Sequence, residues 1–341
     1  MKILAIETSC DDTCAAVLEN DKILSNIISS QVDLHQEWGG VVPNIAKRAH
    51  MERLSPVIDK ALKRARIKIE DIDVIGVALG PGLAIALSIG VNKAKELAKK
   101  YNKKLVVVNH VEGHILSNLL KNKNGKPERK IIFPALALTA SGGHTKLVLI
   151  KKIGDYKVIG ETLDDAAGEA LDKAAKMMGL GYPGGPILER LAKDGDVNFL
   201  ELPRPLVDKK ILDYSFSGLK TSFYYKIKDW PKDKIFKNIN DLAATFQNAV
   251  FDTLIRKFKL AIDKYEPKTL MASGGVLANL ELRKRLRKLA KENNLEILMP
   301  FKKELNTDNA AMIGMVAYKK AIREEFVENV DEIDRNPRMK I

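Results

Sequence analysis

The chain has 341 residues, 45 % of them hydrophobic and 30 % charged, which is long enough for two domains and apolar enough to bury a core. Lysine and arginine number 57 against 44 acidic residues, and this net charge of +13 favours an acidic partner such as nucleic acid or anionic lipid. Cys10 and Cys14 are too few for a disulfide framework or a four-thiolate zinc site. The chain turns acidic at Glu7, before a signal peptide could form, and it has no apolar run of membrane-spanning length. We therefore expect a cytoplasmic protein without a membrane partner.

The N-terminal third alternates between strands and helices, which predicts a partly parallel sheet covered by helices. A hairpin is followed by a helix in which Pro56 predicts a kink or a break, then by two further strands separated by a helix. The predicted elements are the strands Ile3–Ile6 and Ala15–Leu18, the helix Asn44–Ala65, the strand Asp73–Leu79, a helix over 84–100 and the strand Leu105–Asn109.

The same pattern then restarts. The strand and polar turn at residues 5–13 resemble those at 137–145, and the strand and glycine turn at 77–82 resemble those at 270–275. Two echoes in the same order predict a duplicated α/β unit, and ligands usually bind in the cleft between two such units. A last helix, Asn309–Phe326, is expected to return to the first lobe, and the residues after it form a charged tail.

His110 and His114 form the sharpest local signal for a metal site. On a helix their spacing of four residues places both rings on one face, within reach of one metal ion. Two surface histidines explain the pattern about equally well, and the zinc-peptidase pattern H-E-x-x-H is absent. A catalytic metal needs at least one more ligand, for which Asp308 is a candidate, although an aspartate before a helix more often caps it.

Four glycine-containing turns indicate a nucleotide or another phosphate-bearing ligand. Glycine lets backbone N–H groups approach an anion closely, and a helix that starts there adds a favourable dipole. Neither a Walker P-loop nor a GxGxxG fingerprint is present. The turns contain Gly80-Pro81-Gly82, Ser141-Gly142-Gly143, Pro183-Gly184-Gly185-Pro186 and Ser273-Gly274-Gly275.

Several acidic and hydroxyl residues allow two interpretations. Asp11 and Asp12 stand in the first hairpin turn, where turn formation explains such residues more often than a chemical role does. Asp172 could form only a surface pair with Lys176. The stretch 213–221 is rich in hydroxyls and aromatics, and it would either contact nucleic acid or cap a helix.

Taken together, these motifs resemble the bacterial-type tRNA threonylcarbamoyladenosine transferase family over about residues 1–323. Any one motif is weak, but ten of them in family order are very specific. They are Ile6-Glu7-Thr8-Ser9-Cys10-Asp11, Gly39-Gly40-Val41-Val42-Pro43, Gly80-Pro81-Gly82-Leu83, His110-Val111-Glu112-Gly113-His114, Ser141-Gly142-Gly143-His144-Thr145, the run 164–173, Tyr182-Pro183-Gly184-Gly185-Pro186, the run 215–221, the run 274–279 and Thr307-Asp308-Asn309.

The resemblance implies a fold and an activity. The fold is α/β of the actin/Hsp70/sugar-kinase-like (ASKHA) type, with two ribonuclease-H-like lobes around a central cleft. We expect residues 1–110 and 309–326 to form the N-terminal lobe, 111–308 the C-terminal lobe and 327–341 the charged tail. The implied activity transfers a threonylcarbamoyl group from threonylcarbamoyl-AMP to the exocyclic amine of the adenosine 3′ of the anticodon, in tRNAs that read codons beginning with A.

The resemblance also assigns site residues and partners. One divalent ion per subunit, Fe²⁺ first and zinc as the alternative, would be held by His110, His114 and Asp308. Asp11 and Asp12 would be the catalytic carboxylates, and the protein partners would be of the TsaB and TsaE types, besides tRNA. Threonylcarbamoyl-AMP would be bound by Thr139, Ala140, Ser141, Gly142, Gly143, Asp172, Gly185, Glu189 and Asn279.

This sequence departs from the family pattern at three places. Asp12 and Asn44 stand where glutamate is usual, and Thr139-Ala140 replaces Leu-Val or Tyr-Val. The shorter Asp12 loses one methylene of reach, which bears on any role as a base. Two alternatives to the transferase are a non-catalytic scaffold paralogue, which would lack the histidines, and an ATPase or kinase of the same fold, for which Asp11 would bind Mg²⁺.

Overall fold

The computed structural model describes residues 1–206 and 210–341. Contacts within the chain divide it into two compact units. Unit 1 comprises residues 1–130 and 299–341, and unit 2 comprises residues 131–298. The expected lobe boundaries, at residues 110 and 308, differ from these, because residues 111–130 and 299–308 pack with unit 1. The lobe assignment made from the sequence stays a prediction.

Unit 1 is built on a five-stranded mixed sheet. The residues between Lys2 and Glu7 of β1 and most residues of β4 are apolar and buried, as expected for strands covered by helices on either side. The elements of unit 1 are β1 (Lys2–Glu7), β2 (Asp12–Glu19), β3 (Lys22–Ser30), α1 (Val32–His35), α2 (Pro43–Ala65), β4 (Val74–Gly80), α3 (Ala84–Lys100), β5 (Lys104–Asn109), α4 (His110–Leu116) and, near the C-terminus, α11 (Ala310–Ala321).

Unit 2 has its own five-stranded sheet and its own core, centred on the long helix α9. Its elements are β6 (Ala135–Ala140), β7 (Thr145–Lys152), β8 (Asp155–Glu161), α5 (Ala167–Met177), α6 (Gly184–Leu191), α7 (Ser217–Ile227), α8 (Lys232–Lys237), α9 (Ile239–Tyr265), β9 (Thr269–Ser273), α10 (Leu280–Glu292) and β10 (Glu296–Leu298).

The two sheets have the same topology. The strand order is β3-β2-β1-β4-β5 in unit 1 and β8-β7-β6-β9-β10 in unit 2. In each sheet the first three strands pair antiparallel and the last two join in parallel. This correspondence of order and direction confirms the duplicated α/β unit inferred from the two sequence echoes.

Two helices differ from their predicted form. Helix α2 continues without interruption through Pro56, so the predicted break is wrong. Leu54, Val57 and Ile58 on either side are buried, and their packing holds the helix together despite the missing N–H group. The last helix, α11, ends at Ala321 rather than at Phe326.

Close packing fixes α11 on the sheet of unit 1. A Cβ atom on Gly76 of β4 would lie 2.6 Å from the Ala317 Cβ atom, so glycine is what lets the helix approach. The segment that leads into α11 contains Asp308, which is therefore held at the end of the sheet where β5 passes into α4.

Residues 327–341 pack against unit 1. Val327 donates its N–H to the Leu105 carbonyl at 2.9 Å, and Val330 and Ile333 lie against the core. Farther along, Asn336 donates its N–H to the Leu79 carbonyl at 2.7 Å. Although this segment is rich in charged side chains, apolar contacts and backbone hydrogen bonds attach it to the rest of unit 1.

Candidate active site

Helix α4 places the two histidines. Asn109, the last residue of β5, caps the helix, because its Oδ1 accepts the N–H groups of Val111 at 2.9 Å and Glu112 at 3.2 Å. His110 and His114 are one turn apart and both are buried, with ring centroids 4.7 Å from each other. The predicted helical HxxxH is therefore confirmed as a geometric fact.

Asp308 completes a group of three ligands. Its Oδ1 lies 3.5 Å from His110 Nε2 and 3.2 Å from His114 Nε2. One donor atom from each residue can be chosen so that all three lie within 4.8 Å of one another. Helix α11 is capped by Asn309, whose Oδ1 accepts the Met312 N–H at 3.1 Å, so capping does not explain Asp308.

The donor set fits a divalent transition metal. Two imidazole nitrogens and one carboxylate oxygen are the ligands that zinc and iron take in proteins, with positions left for substrate or water. The buried Nδ1 and Nε2 atoms of His114 make no hydrogen bond to any residue that the structure describes. A buried, unsatisfied imidazole beside a carboxylate is what a metal ligand looks like before it binds.

Glu7 stands behind His110. Its buried carboxylate accepts the His110 Nδ1–H at 3.0 Å and also the Ser9 N–H. This bond leaves Nε2 directed to the side of Asp308, as in the carboxylate–histidine pairs of metal sites. Burial lowers the pKa of His110, but the negative charges of Asp308 and Glu7 outweigh it and raise that pKa to about 9.

Sequence reasoning passed over Glu7 as an individual residue. The available signal was a carboxylate at the carboxyl end of an otherwise apolar, buried strand, where a charge is costly without a partner. Its partner is more than 100 positions away in the chain, which no local pattern can show.

Asp11 and Asp12 follow in the next turn. Burial, reinforced by the charges of Asp11 and Asp308, raises the pKa of Asp12 to about 7. The pKa of Asp11 is also raised, chiefly by burial. The buried Asp12 Oδ1 accepts no hydrogen bond from the described residues. A carboxyl group with such a pKa can exchange a proton near neutral pH.

The thiols of Cys10 and Cys14 have no such role. Burial raises the pKa of both well above the usual range, which keeps them protonated. Cys14 is buried, whereas Cys10 is half-buried.

A chain of buried hydrogen bonds supports the Asp11–Asp12 turn. His50 donates from Nε2 to the Cys10 carbonyl at 3.0 Å, and its Nδ1 accepts the Thr13 hydroxyl at 2.8 Å. Gln31 donates to Thr13 Oγ1 at 3.4 Å and accepts from His35 Nε2 at 3.3 Å. Burial lowers the pKa of both histidines, so this imidazole relay is neutral.

In unit 2, the turn after β6 exposes backbone N–H groups. Ser141 donates its N–H to the His144 carbonyl at 2.8 Å, which closes the turn. Gly142 and Gly143 are exposed, and a Cβ atom on either would meet no atom within 4 Å. Their backbone is therefore accessible to an anion from outside.

Two buried hydroxyls end the strands beside this turn. Thr139 on β6 and Ser273 on β9 are register partners, and both are almost fully buried. Neither hydroxyl makes a hydrogen bond to a residue that the structure describes. Ser273 was noted in the sequence only as part of a glycine turn, yet it offers the same unused polar group as Thr139.

Asp172, Gly185, Glu189 and Asn279 are also in unit 2. Asp172 on α5 accepts the N–H groups of Gly184 at 2.7 Å and Gly185 at 3.2 Å, so it caps α6. Glu189 accepts the Leu280 N–H at 2.8 Å, and Asn279 caps α10. Glu189 also lines a cavity of about 400 Å³ together with Gln247 and Leu280.

The contacts of Asp164 bear on the two interpretations of the stretch 213–221, nucleic-acid contact and helix capping. Its carboxylate accepts the hydroxyls of Ser215 and Ser217, each at 2.6 Å, and the Phe216 N–H at 2.8 Å. The hydroxyl-rich stretch thus fixes the start of α7 through its hydrogen bonds to Asp164, as the capping alternative predicted. Burial opposes the shift, but these hydrogen bonds lower the pKa of Asp164 overall.

Comparison with known proteins supplies the family. Residues 22–315 match the family model described as TsaD, tRNA N6-adenosine threonylcarbamoyltransferase. The protein of that name from Thermosipho africanus is 44 % identical over 341 residues, covering 100 % of both chains. The one from Thermosipho melanesiensis is 48 % identical over 320 residues, or 94 % of each chain.

A solved structure supports the fold. HypF of T. kodakarensis aligns with a TM-score of 0.62 at 14 % identity, over 95 % of this chain and 48 % of that one. The expected ASKHA type is confirmed by this likeness. Among the described residues, every helix is too short or too polar to cross a membrane. The full-length identity and the matching model show that the chain belongs to the TsaD family, the tRNA N6-adenosine threonylcarbamoyltransferases.

Proposed function

We propose that this protein transfers a threonylcarbamoyl group from threonylcarbamoyl-AMP to tRNA. The acceptor is the exocyclic amine of the adenosine 3′ of the anticodon, in tRNAs that read codons beginning with A. The observation that carries the proposal is the group formed by the buried His110 and His114 with Asp308, with Glu7 behind it, in a chain 44 % identical over its full length to a transferase of this name.

His110, His114 and Asp308 would hold one divalent ion per subunit, Fe²⁺ by preference and zinc as the alternative. When bound, the ion orients the threonylcarbamoyl moiety and polarises its carbonyl group. Glu7 accepts the Nδ1–H of His110, which directs Nε2 of that ring towards the ion.

Unit 2 would bind the adenylate part of the donor. The exposed N–H groups of Gly142 and Gly143 suit the phosphate, and the unused hydroxyls of Thr139 and Ser273 are further donors beside them. We place Ala140, Ser141, Asp172, Gly185, Glu189 and Asn279 with these residues as nucleotide contacts.

The reaction needs a base but no enzyme nucleophile, since the donor is a mixed anhydride. The adenosine amine attacks the carbamoyl carbon, a C–N bond forms, and the C–O bond to the phosphate breaks, releasing AMP. Asp12, assisted by Asp11, would accept the proton that the amine loses, because its pKa of about 7 suits that transfer.

TsaB-type and TsaE-type proteins are the expected partners. The test therefore combines the purified chain with both, threonylcarbamoyl-AMP and unmodified tRNA, and analyses the nucleosides by mass spectrometry. We expect threonylcarbamoyladenosine from the wild type and none from His110→Ala or Asp308→Ala. Asp331→Ala, an exposed carboxylate in the same unit, is the matched control and retains activity.

The outcomes separate the transferase from a kinase or ATPase and test the metal assignment on its own. If no threonylcarbamoyladenosine forms with partners that are active with a known TsaD, the transferase hypothesis is contradicted. ATP turnover without tRNA would identify a kinase or ATPase instead. Full activity of the His110→Ala variant would refute the metal assignment alone.

A further inference from the structure

An exposed aromatic and basic surface lies on α7, α8 and the loop between them. Helix α7 buries Leu219, Phe223 and Ile227, which are spaced four residues apart along one side. Tyr224 and Tyr225 therefore lie on the opposite side, 46 % and 62 % exposed. Phe236 on α8 is 54 % exposed. These are three of the four exposed aromatic side chains among the described residues.

Lysines accompany these rings. The Nζ of Lys228 lies 4.9 Å from the centroid of the Tyr225 ring, and that of Lys234 lies 3.9 Å from the Trp230 ring. Residues 222–238 hold five lysines, all exposed, against two aspartates. We call Tyr224, Tyr225, Lys228, Trp230, Lys234 and Phe236 the aromatic–lysine surface.

The surface is anchored to the element that carries Asp172. Asp165, two residues before α5, pairs with Lys173 of α5 and with Lys220 of α7, each at 2.7 Å. Asp164 beside it holds the first turn of α7. The rings are thus presented by a helix fixed to the proposed nucleotide-binding part of unit 2.

Exposed rings next to cations are the recognition chemistry of unpaired nucleotides. Bases stack on the aromatic faces, and lysines neutralise the phosphates. A protein partner would instead favour a continuous apolar patch, whereas here lysines lie among the rings. We infer that the aromatic–lysine surface binds unstacked nucleotides of the tRNA. This inference rests on the proposed function, which makes tRNA the substrate.

Two variants test the inference in the full chain with its partners. Tyr225→Ala/Phe236→Ala removes stacking, and Lys228→Ala/Lys234→Ala removes charge. The measurement is the Kd for unmodified tRNA at several salt concentrations. Lys264→Ala/Tyr265→Ala is the matched control, because Lys264 lies 5.5 Å from the Tyr265 ring elsewhere in unit 2.

We expect the aromatic variant to weaken tRNA binding about tenfold or more while the salt dependence is unchanged. The lysine variant should lower the slope of log K against log salt by about 1 to 2. Tyr225→Phe retains a stacking ring and should bind as the wild type does, which separates stacking from folding. The control variant should bind tRNA normally.

Unchanged tRNA affinity in both variants would overturn the inference. The same holds if the variants bind tRNA normally but no longer bind a protein partner. If the wild type forms threonylcarbamoyladenosine and the variants bind tRNA normally, only the surface assignment fails. If the wild type forms no product with active partners, the proposed function fails as well.

Discussion

Glu7 is the residue on which the orientation of His110 depends. Exchange to glutamine replaces the carboxylate that accepts the Nδ1–H bond by a neutral amide. We expect metal affinity to fall about 10- to 100-fold, because partners behind a ligand contribute that much. Chelator competition with Fe²⁺ and Zn²⁺ measures it, with the exposed Glu19→Gln of the same hairpin as control. Wild-type affinity in Glu7→Gln would show that Glu7 does not position the ligand.

Asp12 should lower the stability of the fold near neutral pH while it serves the reaction as a base. Its pKa is raised to about 7, chiefly by burial, so folding binds a proton there and stability falls as pH rises from about 4 to 7. Asp12→Asn removes this cost, and the metal-free variant should melt at a few degrees higher at pH 8 but not at pH 4. Product formation should drop by about 100-fold or more if Asp12 is the base.

The glutamate usual in the family offers a second comparison at this position. Asp12→Glu restores a carboxylate with one more methylene and should retain much of the activity. A bound cation lowers the pKa of Asp12, so the pH–rate midpoint should lie below 7 and disappear in Asp12→Asn. A variant Asp12→Asn that is fully active would leave the base elsewhere.

At the scale of elements, the imidazole relay joins β2, α1 and α2. Both histidines have pKa values lowered by burial, so the stability that they support is complete above about pH 6.5 and declines as pH falls. Thr13→Val or His50→Phe leaves a buried partner unsatisfied and should cost about 1–3 kcal/mol each. The double variant should cost less than their sum.

Urea unfolding at pH 7.5 and 5.5 measures this coupling. Lys47→Ala, an exposed position on the helix that carries His50, is the control and should change stability little. Additive costs, or a stability of the wild type that does not depend on pH in this range, would contradict a coupled relay.

The element scale also shows what could be predicted. Strand and helix periodicity placed β1, β2, β4, α3 and β5 within a few residues, since these elements bury regular apolar faces. The continuity of α2 could not be predicted, because packing around Pro56 decides it. The cap of α11 is Asn309 rather than Asp308, a choice that depends on the contacts of Asp308 with residues about 200 positions away.

At the scale of the whole molecule, the two units repeat one topology but carry different chemistry. The turn after β1 contains Cys10 and Asp11 and leads into Asp12 of β2, whereas the turn after β6 contains Gly142 and Gly143. The candidate metal ligands and Asp12 are in unit 1, whereas the buried hydroxyls of Thr139 and Ser273 without a hydrogen bond to a described residue are in unit 2. The shared topology therefore does not decide the chemistry of each unit, which depends on the side chains that its turns and strand ends carry.

This difference between the units predicts that unit 2 folds and binds nucleotide without unit 1. Residues 131–298 form one continuous segment with its own sheet and core, so the excised fragment should unfold cooperatively. It should bind AMP by calorimetry but no Fe²⁺ or Zn²⁺, because His110, His114 and Asp308 are outside it. Thr139→Val/Ser273→Ala in the fragment should weaken AMP binding about 30-fold, since each of the two lost hydrogen bonds contributes about 1 kcal/mol. A folded fragment that binds Fe²⁺ or Zn²⁺, or that does not bind AMP, would contradict the assignment of nucleotide binding to unit 2 and of metal binding to unit 1.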